Sequence, residues 1–290
     1  MAWYAGSFRR MLCDMHISDW DPRFLSRFDP EEYVRLLCMA RVQTVMLYYQ
    51  AHTGLCYFPT HSARMHRAFQ GREDAMIRTE TLCHEAGMSV VGYYSLIFNN
   101  WAEETHPEWA MVLADGGTPL QKGMSRYGHC CPNQRGYRAF VSRQLREMLD
   151  CFSPEGMFFD MPFWPLPCSC AACRERWERE AGKAWPRDPR DAVMLAARRR
   201  WMEGFVRSVA EECRSLRPGI SVEFNCAHGA LPSMEKGISD GLCRAGDYAG
   251  GDLYRTFRTQ SFACKLFRGL SRMQPFEYMT GRCVPDLHNH

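Results

Sequence analysis

Short apolar runs alternate along the chain with longer amphipathic segments. The apolar runs predict strands at 8–16, 43–49, 89–96, 156–160, 220–224, 246–252 and 275–280. The amphipathic segments predict helices that start at Asp29 and cover 73–86, 134–151, 188–216, the region near 232–238 and 257–272. Strands that alternate with helices predict parallel strands joined by helical crossovers.

Seven strands are visible in this pattern. A closed (β/α)₈ barrel has eight strands and typically about 250 residues. Residues 281–290, GRCVPDLHNH, follow the seventh strand and carry no further β/α unit. We therefore predict an α/β fold, a (β/α)₈ TIM-type barrel that forms one domain over residues 1–290 and lacks its last unit. The alternative is that one strand escapes the pattern.

Polar residues follow the apolar runs at the positions where strands end. The fourth run, GMFFD, ends on Asp160. Because active sites of such barrels lie at the C-terminal ends of the strands, Asp160 is a candidate catalytic carboxylate. Its alternative role is to cap the turn before Pro162. Further candidates, as binding groups for sugar hydroxyls, are Asp14, His16, His52, Asn225 and His228.

Three more carboxylates lie in or after the later strands. Glu277 and Glu223 interrupt apolar strands, and Asp252 follows GDYAGG. A charged residue inside an apolar strand must face a polar interior or a partner. We rank Glu277 first as a second catalytic carboxylate, then Glu223, then Asp252, which is also a substrate-binding candidate. Each has the alternative of a buried salt bridge with an Arg or a His.

Aromatic residues in the loops offer surfaces on which a sugar could stack. The candidates are Trp101 and Trp164, with Tyr48 as a third for which ordinary core packing is favoured.

Cysteines cluster after the fourth strand in the pattern C-x-C-x₂-C, formed by Cys168, Cys170 and Cys173. Tetrahedral zinc requires four ligands, and either Cys131 or Cys130 is available before the third helix. The alternative is a set of free thiols in a loop.

Composition narrows the functional classes. The formal net charge is only +3, and the Arg198–Arg200 run is expected on a solvated helix face, so no nucleic-acid partner is predicted. No apolar run reaches the roughly 20 residues of a membrane span. The chain has fifteen cysteines, an odd number, and no apolar secretory signal at its start. Both observations argue against a disulfide framework, and we expect a cytoplasmic protein.

Several segments together resemble a known group of enzymes. They are YYQAHTGLCYFPT (48–60), FNNWAEETHPEW (98–109), GMFFDMPFW (156–164) and residues 247–283. They resemble the α-L-fucosidase-related glycoside hydrolases of families 29 and 151, especially bacterial hypothetical glycosyl hydrolases. The resemblance implies that Asp160 is the nucleophile and places His52 at a substrate-binding histidine. The loop departs from the family pattern at Ala51 and Thr53.

The cysteine pattern is similar to the four-cysteine zinc site of family 42 β-galactosidases. In that family a CPN segment and a CxCxxC segment supply the ligands. The similarity implies Cys131, Cys168, Cys170 and Cys173 as ligands of a structural zinc, with no organic cofactor.

These observations predict a glycosidase that cleaves a terminal sugar with retention, fucosidase- or galactosidase-like. The expected partner is an oligosaccharide or glycoside, and self-association into a homo-oligomer is left open. One alternative is a non-catalytic carbohydrate-binding barrel or an inactive truncated barrel. Another is a deacetylase or other metal hydrolase, which requires a His/Asp metal site.

Overall fold

A computed structural model describes residues 2–186, 188, 191–226, 239–253, 257–270 and 275–279. The strands in this part of the chain are β1 (Arg10–Leu12), β2 (Thr44–Gln50), β3 (Leu55–Cys56), β4 (Arg64–Met65), β5 (Ser89–Ser95), β6 (Gly156–Asp160), β7 (Ser221–Phe224), β8 (Ala249–Asp252) and β9 (Phe276–Met279). The α-helices are α1 (Pro30–Met39), α2 (Ala75–Glu85), α3 (Asn100–Thr105), α4 (Arg135–Cys151), α5 (Ala171–Ala181), α6 (Ala192–Leu216), α7 (Asp240–Ala245) and α8 (Phe257–Leu270).

The long strands are parallel to one another and adjacent in chain order. β1, β2, β5, β6 and β7 form one parallel series, to which β3 and β4 add a short extension beside β2. β8 and β9 form a second parallel pair, joined to β7 through a bridge between Asn225 and Gly250. This arrangement confirms the α/β fold of the TIM-barrel type. Where β1 approaches β9, the described residues show an ion pair between Arg10 and Glu277.

β6 lies in the middle of the parallel series and is buried along its whole length. Its apolar residues Met157, Phe158 and Phe159 are at most 2% exposed. A parallel strand covered on both faces is expected to be a continuous apolar run of this kind. Asp160 is the last residue of this strand, so the strand fixes its position at the end of the sheet.

Glycine is required at one position of the junction between β7 and β8. A Cβ on Gly250 would lie 2.0 Å from Oε1 of Glu223. The absence of a side chain at position 250 therefore allows Glu223 to occupy the interior between these strands.

The structure differs from the sequence-based expectation in three places. β1 covers only three residues of the expected strand 8–16, and the insertion 97–132 contains the helix α3. The helix α5 begins directly after Cys170 and contains Cys173, ahead of the long helix. The short helix expected near 232–238 lies outside the described residues.

The expectation of a solvated face for the three consecutive arginines of α6 is wrong for one of them. Arg200 is exposed, but Arg198 is only 4% exposed. It lies four residues after Met194 and three before Trp201, both buried, so helical spacing places it on the inward stripe.

None of the helices in the described residues has the length and apolar character needed to cross a membrane. A single domain that lacks its last β/α unit, and a cytoplasmic location, stay predictions.

Candidate active site

A cavity of about 1000 Å³ opens at the ends of the parallel strands and continues along the gap between β1 and β9. Its polar lining comes from several strand ends and one loop. These residues are Arg10, Asp14, His16, Tyr48, His52, Tyr93, Arg126, Asp160, Tyr248, Asp252 and Glu277. Three of the predicted groups, His16, His52 and Asp160, have side-chain ligand atoms within 4.8 Å of one another.

Asp160 is held by three hydrogen-bond donors. The Tyr93 hydroxyl donates to Oδ2, while Asn225 Nδ2 donates to Oδ1 at 2.6 Å. The backbone N–H of Met161 also donates to Oδ1, at 2.8 Å. Met161 has a φ of 55°, a left-handed conformation that costs energy for a residue with a side chain and is typical of functional sites. Donors on both oxygens compensate the charge of a carboxylate that is only 9% exposed.

The hydrogen bonds of His52 fix which ring nitrogen faces the cavity with a lone pair. Ser95 Oγ donates to the carbonyl of Phe98, so it accepts from Nδ1–H of His52 at 2.6 Å. Burial lowers the pKa of His52 well below its usual value, helped by neighbouring positive groups, so the ring is neutral near pH 7. Nε2 of His52, 3.5 Å from Oδ2 of Asp160, is therefore a hydrogen-bond acceptor.

His16 has the opposite tautomer. Its Nδ1 accepts the backbone N–H of His52 at 3.1 Å, so Nε2 carries the proton of the neutral ring. Nε2 lies 3.3 and 3.2 Å from the hydroxyls of Tyr48 and Tyr93. Those hydroxyls donate in turn to Asp14, at 3.1 Å, and to Asp160. A continuous chain of hydrogen bonds therefore joins the two carboxylates through His16.

These tautomers make His16, His52 and Asp160 a poor metal site, although their ligand atoms are close. A metal on Nε2 of His16 would require a proton on Nδ1, where the backbone N–H of His52 already donates. The geometry does not favour the metal-hydrolase alternative.

Asp252 is the carboxylate that the structure ties to Asp160. Nδ2 of Asn225 lies 2.6 Å from Oδ1 of Asp160 and 3.4 Å from each carboxylate oxygen of Asp252. Because these distances share one nitrogen, Oδ1 of Asp160 lies at most 6.0 Å, the sum of 2.6 and 3.4 Å, from either carboxylate oxygen of Asp252. Retaining glycosidases separate their carboxyl groups by about 5–5.5 Å, and inverting enzymes by about 6.5–9.5 Å.

Glu277 and Glu223, which ranked above Asp252 from sequence, form a different cluster. Glu277 makes an ion pair with Arg10, the partner that the salt-bridge alternative required. Glu223 is 1% exposed, and its pKa is raised well above the usual value by burial and then by the charge of Glu277. The hydroxyl of Tyr248 also belongs to this cluster and accepts a hydrogen bond from Nη2 of Arg10 at 3.1 Å. An ion-paired Glu277 and a fully buried Glu223 are poor proton donors to a substrate.

Neither tryptophan candidate lines the cavity. Trp101, on α3, packs near Phe140 with 5.7 Å between ring centroids. Trp164 is 2% exposed and lies 6.0 Å from the ring of Trp201. Both rings gain more from burial than from exposure in an open cavity. His228 lies outside the described residues.

Sequence reasoning overlooked Tyr93 and Ser95, which position Asp160 and His52. Both lie on β5 in the segment GYYS, two residues apart and therefore on one face of the strand. Two polar side chains at alternate positions of an otherwise apolar strand could have indicated a polar face there. Arg126, from the insertion, was also missed; its guanidinium lies 4.8 Å from the ring centroid of Tyr127.

The four sulfur atoms named from the sequence come together beside the site. The Sγ atoms of Cys131, Cys168, Cys170 and Cys173 all lie within 4.8 Å of one another, and all four residues are at most 5% exposed. Cys130, the alternative fourth ligand, is buried but is not part of this group.

The surroundings of the four cysteines favour a thiolate at one position and oppose it at two others. The neighbouring thiols of Cys131, Cys168 and Cys173 lower the pKa of Cys170 by hydrogen bonding to its thiolate, whereas burial raises the pKa of Cys131 and of Cys173. Asn133 donates from its backbone N–H to Cys131 Sγ at 3.4 Å and from Nδ2 to Cys173 Sγ at 3.3 Å. Four buried sulfur ligands with N–H donors fit tetrahedral zinc and leave no coordination position for water or substrate.

Comparison with known proteins finds similarity to glycosyl hydrolases. The family model described as hypothetical glycosyl hydrolase 6 matches residues 29–161, a segment that ends one residue after Asp160. Comparison with curated proteins finds no match.

Solved structures share the fold at low identity. An α-L-fucosidase isoenzyme 2 from Paenibacillus thiaminolyticus is similar with a TM-score of 0.77 and 19% identity, over 95% of this chain and 40% of that one. The PgaB (BpsB) glycoside hydrolase domain from Bordetella bronchiseptica has a TM-score of 0.66 at 13% identity, covering 93% of both chains. A β-galactosidase from Rahnella sp. R3 gives 0.66 at 16% identity, over 93% of this chain and 45% of that one. The chain thus spans less than half of the fucosidase and the galactosidase.

The resemblance to glycosyl hydrolases of this type, and the barrel-type fold, are confirmed by these comparisons. Family and fold together support a glycosidase acting on a carbohydrate. They do not choose the sugar or the stereochemical course.

Proposed function

We propose that the protein is a retaining, exo-acting glycosidase in which Asp160 is the nucleophile and Asp252 the acid/base. The observation that carries the proposal is the bound of 6.0 Å between Oδ1 of Asp160 and either carboxylate oxygen of Asp252, set by the shared Asn225 amide. This bound is compatible with the separation of retaining enzymes and is shorter than that of inverting ones.

In the first step Asp160 attacks the anomeric carbon of the terminal sugar. The bond to the leaving glycosidic oxygen breaks while Asp252 donates its proton to that oxygen. Tyr93, Asn225 and the N–H of Met161 hold the carboxylate in position through the three hydrogen bonds described above.

In the second step Asp252 changes from general acid to general base. Its carboxylate takes a proton from water, and the water oxygen attacks the anomeric carbon and releases Asp160. Each displacement inverts the anomeric carbon, so the product of two displacements has the original configuration.

The remaining cavity groups suit the hydroxyls of one terminal sugar. Nε2 of neutral His52 accepts a hydrogen bond, and Asp14, whose side chain is 69% exposed, accepts another. These groups support a fucosidase- or galactosidase-like substrate range.

We also propose that Cys131, Cys168, Cys170 and Cys173 hold a structural Zn²⁺. Four thiolates form a closed coordination shell, so this ion would stabilise the loop after β6 without activating water. No further cofactor is required by the proposed chemistry.

The test measures the stereochemistry of hydrolysis by proton NMR, with aryl fucosides, galactosides and arabinosides as substrates. The wild-type protein is compared with Asp160→Asn and with Asp150→Asn, which changes an exposed carboxylate on α4. We expect retained product from the wild type and from Asp150→Asn, and a loss of at least about 10³-fold in Asp160→Asn.

Two results would count against the proposal. Inverted product would remove the covalent role of Asp160, and saturable sugar binding without turnover would favour the non-catalytic barrel. Folding of each variant is checked by circular dichroism, so that loss of activity is not confused with loss of structure.

A further inference from the structure

A buried arginine lies near the cysteine cluster without a partner for most of its donors. Arg198, on α6, is 4% exposed, and its Nε and Nη2 atoms have no hydrogen-bond partner within the described part of the chain. A guanidinium taken out of water without an anion or acceptors costs several kcal/mol. Such a residue needs a partner of opposite charge.

The cysteines are the acidic groups that act on this arginine. Burial lowers the pKa of Arg198, while the thiols of Cys173 and Cys168 raise it. No carboxylate of the described residues contributes to that shift. Within the described residues, sulfur is therefore the available source of opposite charge near Arg198.

Packing explains how α6 brings Arg198 to the cluster. One turn further along the helix, Trp201 packs near Trp164, which lies in the segment between Asp160 and Cys168. The guanidinium of Arg176, on α5, lies 5.2 Å from the ring of Trp201 and donates to Oδ1 of Asn133 at 2.9 Å. Asn133 in turn donates to Cys131 and Cys173. α6, α5 and the cysteine segments thus share one packed unit.

Charge counting indicates what Arg198 compensates. Four thiolates carry four negative charges, and a divalent ion removes two, which leaves a buried dianion. We propose that Arg198 is the counter-charge of this dianionic tetrathiolate centre and thereby a determinant of its metal affinity. The inference rests on the zinc part of the proposed function and is independent of the chemistry at Asp160.

Zinc affinity tests the proposal directly. Metal-depleted protein is titrated with Zn²⁺ against a competing chelator, and with Co²⁺, whose absorption spectrum reports tetrahedral thiolate ligation. The variants are Arg198→Met, which removes the charge, Arg198→Lys, which keeps it, and Arg200→Met, the exposed neighbour on the same helix. We expect Arg198→Met to weaken zinc binding by at least about 10-fold, Arg198→Lys by less than about 3-fold and Arg200→Met not at all.

Equal zinc affinity in Arg198→Met and the wild type overturns the proposal, and so does a wild type that binds no zinc. The latter result leaves the glycosidase proposal intact, because retention and its loss in Asp160→Asn are measured separately.

A second experiment separates the charge of Arg198 from its packing. In a Cys173→Ala background the centre is lost, and Arg198 is left as a buried charge with fewer thiolates. We expect Arg198→Met to raise the thermal midpoint in that background, although it lowers the midpoint of the zinc-loaded wild-type protein. A lower midpoint in both backgrounds would assign Arg198 to packing alone and would overturn the proposal.

Discussion

The two ends of the segment that follows β6 hold two clusters of acidic side chains with opposite surroundings. At one end Asp160 accepts three hydrogen bonds and faces an open cavity of about 1000 Å³. At the other end four cysteine sulfurs are gathered out of contact with water, near Arg198. The two clusters are separated by only seven residues of sequence, 161–167.

In the function proposed above, this difference divides stability from chemistry. Asp160 is stabilised by neutral donors, so the proposed nucleophile would form and release a bond without leaving its position. The thiols have few donors beyond Asn133, so the four thiolates of the proposed zinc site would depend on a cation for compensation. We therefore expect substitutions at the first cluster to reduce turnover, and substitutions at the second to reduce stability first.

The largest effect on turnover that would sharpen this comparison is expected from a substitution of Asp252. Asp252→Asn removes the proton donor and should lower kcat by about 10²–10⁴-fold on substrates with poor leaving groups. The loss should shrink on aryl glycosides whose leaving groups need no proton. Glu277→Gln serves as the comparison, because Glu277 is ion-paired with Arg10. An equal, leaving-group-dependent loss in Glu277→Gln would move the acid role to Glu277.

A smaller effect on turnover and a larger one on stability are expected at the cysteines. Cys173→Ser should release the proposed zinc and lower the free energy of unfolding by about 3 kcal/mol or more, which corresponds to roughly 6 °C in Tm. Cys130→Ser is the matched control, since Cys130 is equally buried but outside the group of four sulfurs. Zinc content and calorimetry are measured on both. Zinc loss in Cys130→Ser, with none in Cys173→Ser, would contradict the ligand set.

The smallest effect concerns pH and a carboxyl that belongs to neither cluster. The pKa of Glu223 is raised in the folded protein, so the folded state binds its proton more tightly than the unfolded state. Stability should therefore fall as pH rises above about 4.5, at up to about 1.4 kcal/mol per pH unit. Glu223→Gln, which stays neutral, should lack this fall, whereas Glu211→Gln on the exposed face of α6 should keep it. Denaturant titrations from pH 4 to pH 7 measure it, and parallel curves for wild type and Glu223→Gln would show that Glu223 titrates normally.

Local patterns allowed the fold and much of the candidate site to be predicted. The apolar run Met157–Phe159 predicts a buried strand, and Asp160 ends it, so its position at the sheet end follows from sequence. The spacing of Cys168, Cys170 and Cys173 keeps three sulfurs within six residues, and the structure brings Cys131 to them. Roles in catalysis and zinc binding stay predictions at all of these positions.

Other features depend on contacts between distant segments, which no local pattern carries. Arg198 reads as one of three equivalent arginines until α6 packs against the cysteine segments. Asp252 ranked below Glu277 because the sequence cannot show that Arg10, from the first strand, takes Glu277 as its partner. Trp101 and Trp164 were expected at the cavity because exposure of a loop aromatic cannot be separated from burial by sequence alone.

The placement of the cysteines has a consequence for biosynthesis. The four sulfur-bearing residues all lie within residues 131–173, and Arg198 follows 25 residues later. Because a chain emerges from the ribosome N-terminus first, the complete ligand set is outside before the arginine, and before β7, β8 and β9. Uptake of the proposed zinc would then organise the nascent half-barrel before α6 docks against it.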